Sequence, residues 1–153
     1  MLSKLILILI TGIFFIHGPG QIGKTQAPLS LQGTWRLFSG TTITKGDTVV
    51  TDYTKGQQMI KIINKTHFAF MRHDLTNGKE ANPVFEAGGG RYSLSGNHYT
   101  EHLDYCNLRE WEGKSFDFTV SIRKDTLIQQ GLEKVDEAGV NRIIIEKYLS
   151  VKN

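Results

Sequence analysis

Three consecutive glycines stand inside a stretch that otherwise reads as strand, and they limit the fold more than any other feature of the chain. The stretch, Phe85 to Cys106, is FEAGGGRYSLSGNHYTEHLDYC. Gly88-Gly89-Gly90 interrupts an extended segment, Ser95-Gly96-Asn97 closes a turn, and His98 to Cys106 is rich in aromatic and β-tolerant residues. Glycine inside a strand gives up side-chain packing and costs backbone entropy, so it belongs where the backbone bends sharply or passes very close to another segment. The wall of a closed barrel makes that demand. The stretch therefore predicts the central hairpin of a small antiparallel barrel.

The flanking sequence repeats the same grammar. Trp35 and Leu37 alternate with Thr34 and Arg36, and Phe116, Phe118, Val120 and Ile122 alternate with Asp117, Thr119, Ser121 and Arg123. A period of two with one apolar side predicts strands with one buried and one wet face. Turn signals separate these runs: Lys45-Gly46-Asp47, Asn77-Gly78, Lys124-Asp125 and Asp136 to Gly139. In His67 to His73, Phe68 and Phe70 share one face while His67, Ala69, Met71 and His73 share the other, and the pattern leaves open which face is inside. Asp74 to Pro83 is the longest expected loop and a candidate barrel mouth. The predicted fold is all-β: a single antiparallel up-and-down barrel of about 8–10 strands, with closure hiding the sheet edges. A sandwich of two sheets is the alternative.

Ahead of this domain, Met1 to Lys4 is a short basic segment, Leu5 to Ile16 is an apolar run, and His17-Gly18-Pro19-Gly20 breaks it. That is the pattern of a cleavable signal peptide, and the apolar run is short for a membrane span. The expected organisation is a signal peptide over 1–20, a flexible lead over 21–30 and the barrel over 31–153. It implies a secreted or periplasmic protein with no stable transmembrane anchor after processing. Scattered Lys and Arg, with a formal net charge of +3, argue against a nucleic-acid partner. Cys106 is the single cysteine, so no intramolecular disulfide forms, and it reads as a semi-buried strand residue.

An ordered set of short motifs resembles the bacterial secreted lipocalin-like domains, calycin-type β-barrels of uncharacterised function. Gly33-Thr34-Trp35 matches the leading G-T-W of lipocalins and wider calycins. Gly90-Arg91-Tyr92, Gly96-Asn97 and His102 match the central block, and Trp111-Glu112-Gly113 and Asp125-Thr126-Leu127 match the later one. The resemblance runs from about Leu31 to Leu149 and implies an up-and-down barrel in a secreted or envelope-associated protein, with no established reaction. A T-D-Y-type strand motif and a late Arg on a closing helix, both typical of lipocalins that transport ligands, are not matched.

For function, the pattern favours a barrel that binds a small apolar or amphipathic molecule over an enzyme. The alternatives are a filled barrel acting as an envelope interaction protein, and an isomerase or hydrolase using His102 or Glu101 with a tyrosine partner. The candidate pocket residues are Trp35, Phe70, Tyr92, Tyr99, Glu101, His102, Tyr105 and Gln130, with Trp35 read first as a floor plug. Tyr99, Glu101 and Tyr105 are preferred for the interior because aromatics with one polar group suit an apolar pocket. Gln129 and Gln130 face opposite ways, and whichever turns inward is a pocket signal. Arg91 and Arg142 are read as counter-charges for an anionic ligand or as surface ion pairs. His98 to His102 spells the letters of an inverted zinc-protease motif. On a strand, however, its two imidazoles stand about 13 Å apart, too far to share one zinc. No metal, cofactor or catalytic set is expected.

Overall fold

The computed structural model describes residues 29–152; the expected signal segment and most of the lead lie outside them. Nine strands follow in order: β1 Gly33–Thr44, β2 Asp47–Asp52, β3 Gln57–Ile63, β4 His67–Asp74, β5 Phe85–Ser95, β6 His98–Cys106, β7 Ser115–Arg123, β8 Thr126–Val135 and β9 Val140–Ser150. Among the described residues there is no α-helix, and a 3-10 turn at Asp136–Ala138 links β8 to β9.

Every pairing is antiparallel, and β3 to β9 form a continuous meander. The sheet closes because β1 pairs with β9 along one edge and with β3 along the other. Only Gly33 to Arg36 of β1 face β3; beyond a register shift near Phe38, Ser39 to Thr44 pair with β2 instead. β2 therefore stands outside an eight-stranded closed barrel as a ninth strand. The β1–β9 ladder also decides against the two-sheet alternative.

The two ends of the barrel differ. At one end the connections are short: residues 64–66, 96–97 and 124–125. Lys124 takes the left-handed backbone conformation that so tight a turn requires, with φ 58°. Here the interior is solid. Leu31, Leu37, Tyr99, Val120, Leu127 and Tyr148 are essentially inaccessible, and Trp35 donates its indole Nε1–H to the Leu31 carbonyl at 2.8 Å. Burying side chains of this size stabilises by roughly 1.5–3 kcal/mol each. At the other end the longer connections, residues 75–84 and 107–114, surround an interior that is not filled.

The triple glycine carries out the close approach its composition demands. Gly89 pairs with Tyr105 and Arg91 with His102, so Leu103 and Asp104 together oppose Gly90 in a β-bulge. A Cβ at position 90 would overlap the His102 carbonyl oxygen. The extra residue reverses the alternation of β6. Tyr99, Glu101 and Leu103 point inward, but Tyr105 turns out to solvent and Cys106 turns in. The expected inward Tyr105 is thereby corrected, because an unbroken two-residue rhythm does not pass through a bulge.

Candidate functional site

Inside the longer-looped end lies a cavity of about 290 Å³. This is small for a ligand pocket, whose usual range is roughly 300–1,000 Å³. Its apolar wall includes Met59, Phe70, Leu103, Trp111, Phe116 and Ile144; three cations and four carboxylates also line it.

The floor is polar because three strands bring a charged or amide residue to an inward position. Lys61 on β3 sits between the inward Met59 and Ile63 and is 2% exposed. Its ammonium donates to Glu101 Oε1 on β6 at 2.7 Å and to Gln129 Oε1 on β8 at 3.0 Å. It also lies 5.4 Å from the centre of the Tyr148 ring and 5.7 Å from that of Phe68. A buried charge is tolerated when it is paired and hydrogen-bonded, and Lys61 has both an ion-pair partner and a second acceptor.

Glu146, on β9, completes the floor. Tyr148 donates its hydroxyl to Glu146 Oε2 at 2.7 Å. Among the described residues Glu146 forms no salt bridge, since Lys61 is engaged with Glu101 and Arg142 with Glu133. It is half-buried, and it lines the cavity. Burial raises its acid dissociation range; Lys61, the Tyr148 hydroxyl and Arg142 pull it down, and Glu101 pushes it up. Beneath the floor, the Tyr99 hydroxyl is buried without a hydrogen-bond partner. Burial first, and then the nearby Glu101 charge, hold that phenol neutral.

The mouth is built from paired groups over aromatic faces. Arg72 Nη1 donates to both carboxylate oxygens of Glu86 at 3.2 and 3.1 Å, and its Nε donates to Gln57 Oε1 at 2.8 Å. The guanidinium lies 5.4 Å from the centre of the Tyr53 ring. Tyr53 reaches this place because its ring rests on Gly40, where a Cβ would come within 2.9 Å of it. On the opposite wall Arg142 Nε donates to Glu133 Oε2 at 2.7 Å, and its guanidinium is 5.7 Å from the Trp111 ring centre. Trp111 in turn packs against Phe116, with ring centres 5.6 Å apart.

The rim loops are tied down. The loop bearing Trp111 is anchored to the bulge, with Gly113 N–H donating to the Leu103 carbonyl and Leu103 N–H to that of Lys114. Lys114 also bridges to Glu137 in the 3-10 turn at 2.6 Å. Asp74 organises the other rim loop, accepting from the N–H groups of Gly78, Val84 and Thr76 and from the Thr76 hydroxyl. These bonds hold its carboxyl far below the ordinary range.

The eight candidate residues divide by place. Phe70 and Glu101 line the cavity. Trp35 and Tyr99 are buried in the solid end; Tyr92 is half-buried beside them, its ring tilted against that of Tyr99 with centres 5.4 Å apart and its hydroxyl donating to the Asn64 carbonyl at 2.9 Å. His102 is on the outer wall beside Ser115 Oγ at 2.9 Å; Tyr105, 71% exposed, and Gln130 are also outside. Gln129 is the inward member of its pair. Arg91 forms an exposed ion pair with Asp104, whereas Arg142 lines the cavity. His98 lies near Asp117 and Thr100, apart from His102. Lys61, Arg72, Glu133 and Glu146 were not singled out by sequence reasoning. The signal was available for Lys61 and Glu146: each is a charged residue in the inward phase of an otherwise apolar strand.

The carboxylates give the fold a signed pH dependence. Glu133 and Glu146, their ranges raised mainly by burial, bind protons more tightly in the folded chain than in the unfolded one. Their contribution is fully present below the ordinary value of 4.5 and is lost as pH rises through the raised folded values. Asp104, lowered to about 2 by its hydrogen bonds with Arg91, acts oppositely, as does Asp74. Their contribution is present above the ordinary 3.8 and fails as pH falls. Urea midpoints measured across pH are therefore expected to peak on the acid side of neutrality. Glu146→Gln should lessen the decline toward alkaline pH and leave the acid limb unchanged. Parallel curves for wild type and variant would show that Glu146 is not desolvated.

No family model matches the chain, and no curated protein matches it. Among solved structures it is similar to the crystal structure of an uncharacterized protein from Bacteroides eggerthii, at 12% identity and a TM-score of 0.45, over 80% of this chain and 100% of that one.

Proposed function

We propose that this chain is an exported, lipocalin-like barrel that takes a small amphipathic molecule into its longer-looped end. The observation that carries the reading is the cavity itself: aromatic and aliphatic walls above a charged floor, inside a closed sheet, with anchored rim loops. An apolar wall supplies affinity by burial, and a few placed polar groups fix orientation. The G-T-W and central motifs support the lipocalin-like assignment, and the basic-then-apolar leader supports export.

Two other readings fit the geometry less well. A filled barrel with only an outer working surface has no use for interior volume. An acid–base role for Glu101 fits less well because its carboxylate is committed to the Lys61 ammonium at 2.7 Å.

Trp111 lines the cavity and the only other tryptophan, Trp35, is in the solid end, so intrinsic fluorescence reports on the site. Titration with phenylethanol, phenethylamine and phenylacetate is expected to change the emission saturably with at least one of the three. The change should vanish in Trp111→Phe. No saturable change with any of them would contradict the binding reading.

A further inference from the structure

We infer that the cavity's ligand is a small organic cation, an amine carried on an apolar or aromatic body, and that Glu146 is its counter-ion. The inference rests on the binding reading and gives it a ligand class. It comes from matching the charges that line the cavity. Lys61 pairs with Glu101 at 2.7 Å, Arg72 with Glu86 at 3.1 Å and Arg142 with Glu133 at 2.7 Å. Each of the three cations is thereby committed, and Glu146 is the lining carboxylate left over.

The groups facing Glu146 from neighbouring elements do not remove this imbalance. Tyr148, on its own strand, supplies a neutral donor; Lys61 on β3 is committed to Glu101 and Gln129; Glu101 on β6 and Glu133 on β8 add negative charge; Arg142 is turned to Glu133. A carboxylate buried without a counter-charge is held neutral by a proton or meets a cation from outside.

The wall says what kind of cation fits. Among the described residues no group of three or more His, Cys, Asp or Glu side chains is arranged to hold a metal ion. Phe70, Trp111, Phe116 and Phe118 line the space instead, and aromatic faces attract an ammonium and bury the carbon body attached to it. An anionic ligand would stand beside a surplus negative charge, with each local cation already taken.

The test compares three probes of similar size that differ in head group: phenethylamine, phenylethanol and phenylacetate. Isothermal titration calorimetry at neutral pH on the wild-type chain is expected to give tightest binding for phenethylamine, by roughly tenfold or more over phenylethanol, with phenylacetate weakest. Glu146→Gln, which keeps shape and an acceptor for Tyr148, should abolish that preference by weakening phenethylamine binding roughly tenfold or more. Circular dichroism establishes that the variant folds, and the wild-type ranking stands without it. If phenylethanol or phenylacetate binds as well as phenethylamine, or the variant keeps the preference, the amine assignment is overturned while the pocket stands. If none of the three binds, the pocket and the assignment fall together.

Discussion

Lys61→Met is expected to lower the free energy of unfolding by about 3–5 kcal/mol at neutral pH, among the largest effects of any single substitution in the chain. Among the described residues Lys61 is the one cation on the cavity floor, and it holds Glu101 and Gln129 together there. Its removal leaves Glu101 buried without its partner and Glu146 without the positive charge that most offsets its burial. The cost comes from the stranded carboxylate more than from the lost bond. Replacing both partners, as Lys61→Met with Glu101→Leu, should therefore recover most of the loss, because apolar side chains of similar volume in place of a buried ion pair are commonly neutral or stabilising. Urea unfolding of the two single variants and the double variant forms the cycle. Additive losses would show that the two groups do not face each other in solution.

The second large effect is expected at the solid end. Trp35→Ala should cost about 3–5 kcal/mol, the usual loss for emptying a buried tryptophan site. Trp35 is 5% exposed, and its indole satisfies the Leu31 carbonyl, which ties the segment before β1 across the bottom of the barrel. Trp111→Ala should cost less, on the order of 1 kcal/mol, since that ring is only partly buried and its neighbours are the Arg142 guanidinium and Phe116. The contrast, read from thermal or urea midpoints, separates a residue that closes the barrel from one that edges its mouth. Equal losses would place both tryptophans in one continuous core and remove the distinction between the two ends.

These residues also show how far the sequence could be read. β7 was fully legible, because Phe116, Phe118, Val120 and Ile122 alternate without interruption and all four point inward. The glycine triplet was legible as a close approach but not in its consequence. Which residue of β6 opposes Gly90 depends on the register of two strands, and register is a property of the pair. Tyr105 was therefore expected inside when the bulge turns it out. Phe70 and Glu101 were found on the cavity wall because they hold the inward phase on undisturbed stretches of strand.

The polar floor was missed for a different reason. Local pattern reads a charged residue inside an apolar strand as an outward residue. Lys61 and Glu146 are inward because their partners arrive from strands far away in sequence: Lys61 meets Glu101 forty positions on and Gln129 sixty-eight positions on. Only closure of the sheet brings these strands around one space. Gln129 and Gln130 illustrate the same limit at one step. The pair was recognised as facing both ways, and the phase of β8 against its neighbours decides which one enters.

A crystal structure of the protein at a resolution that shows ordered water tests the central claim most directly. The account predicts an eight-stranded closed barrel with ordered waters or a small ligand in the longer-looped end, one of them within hydrogen-bonding distance of the Glu146 carboxylate, and Lys61 turned inward onto Glu101. An interior filled by collapsed side chains, with Lys61 or Glu146 turned out through the wall to solvent, would contradict it.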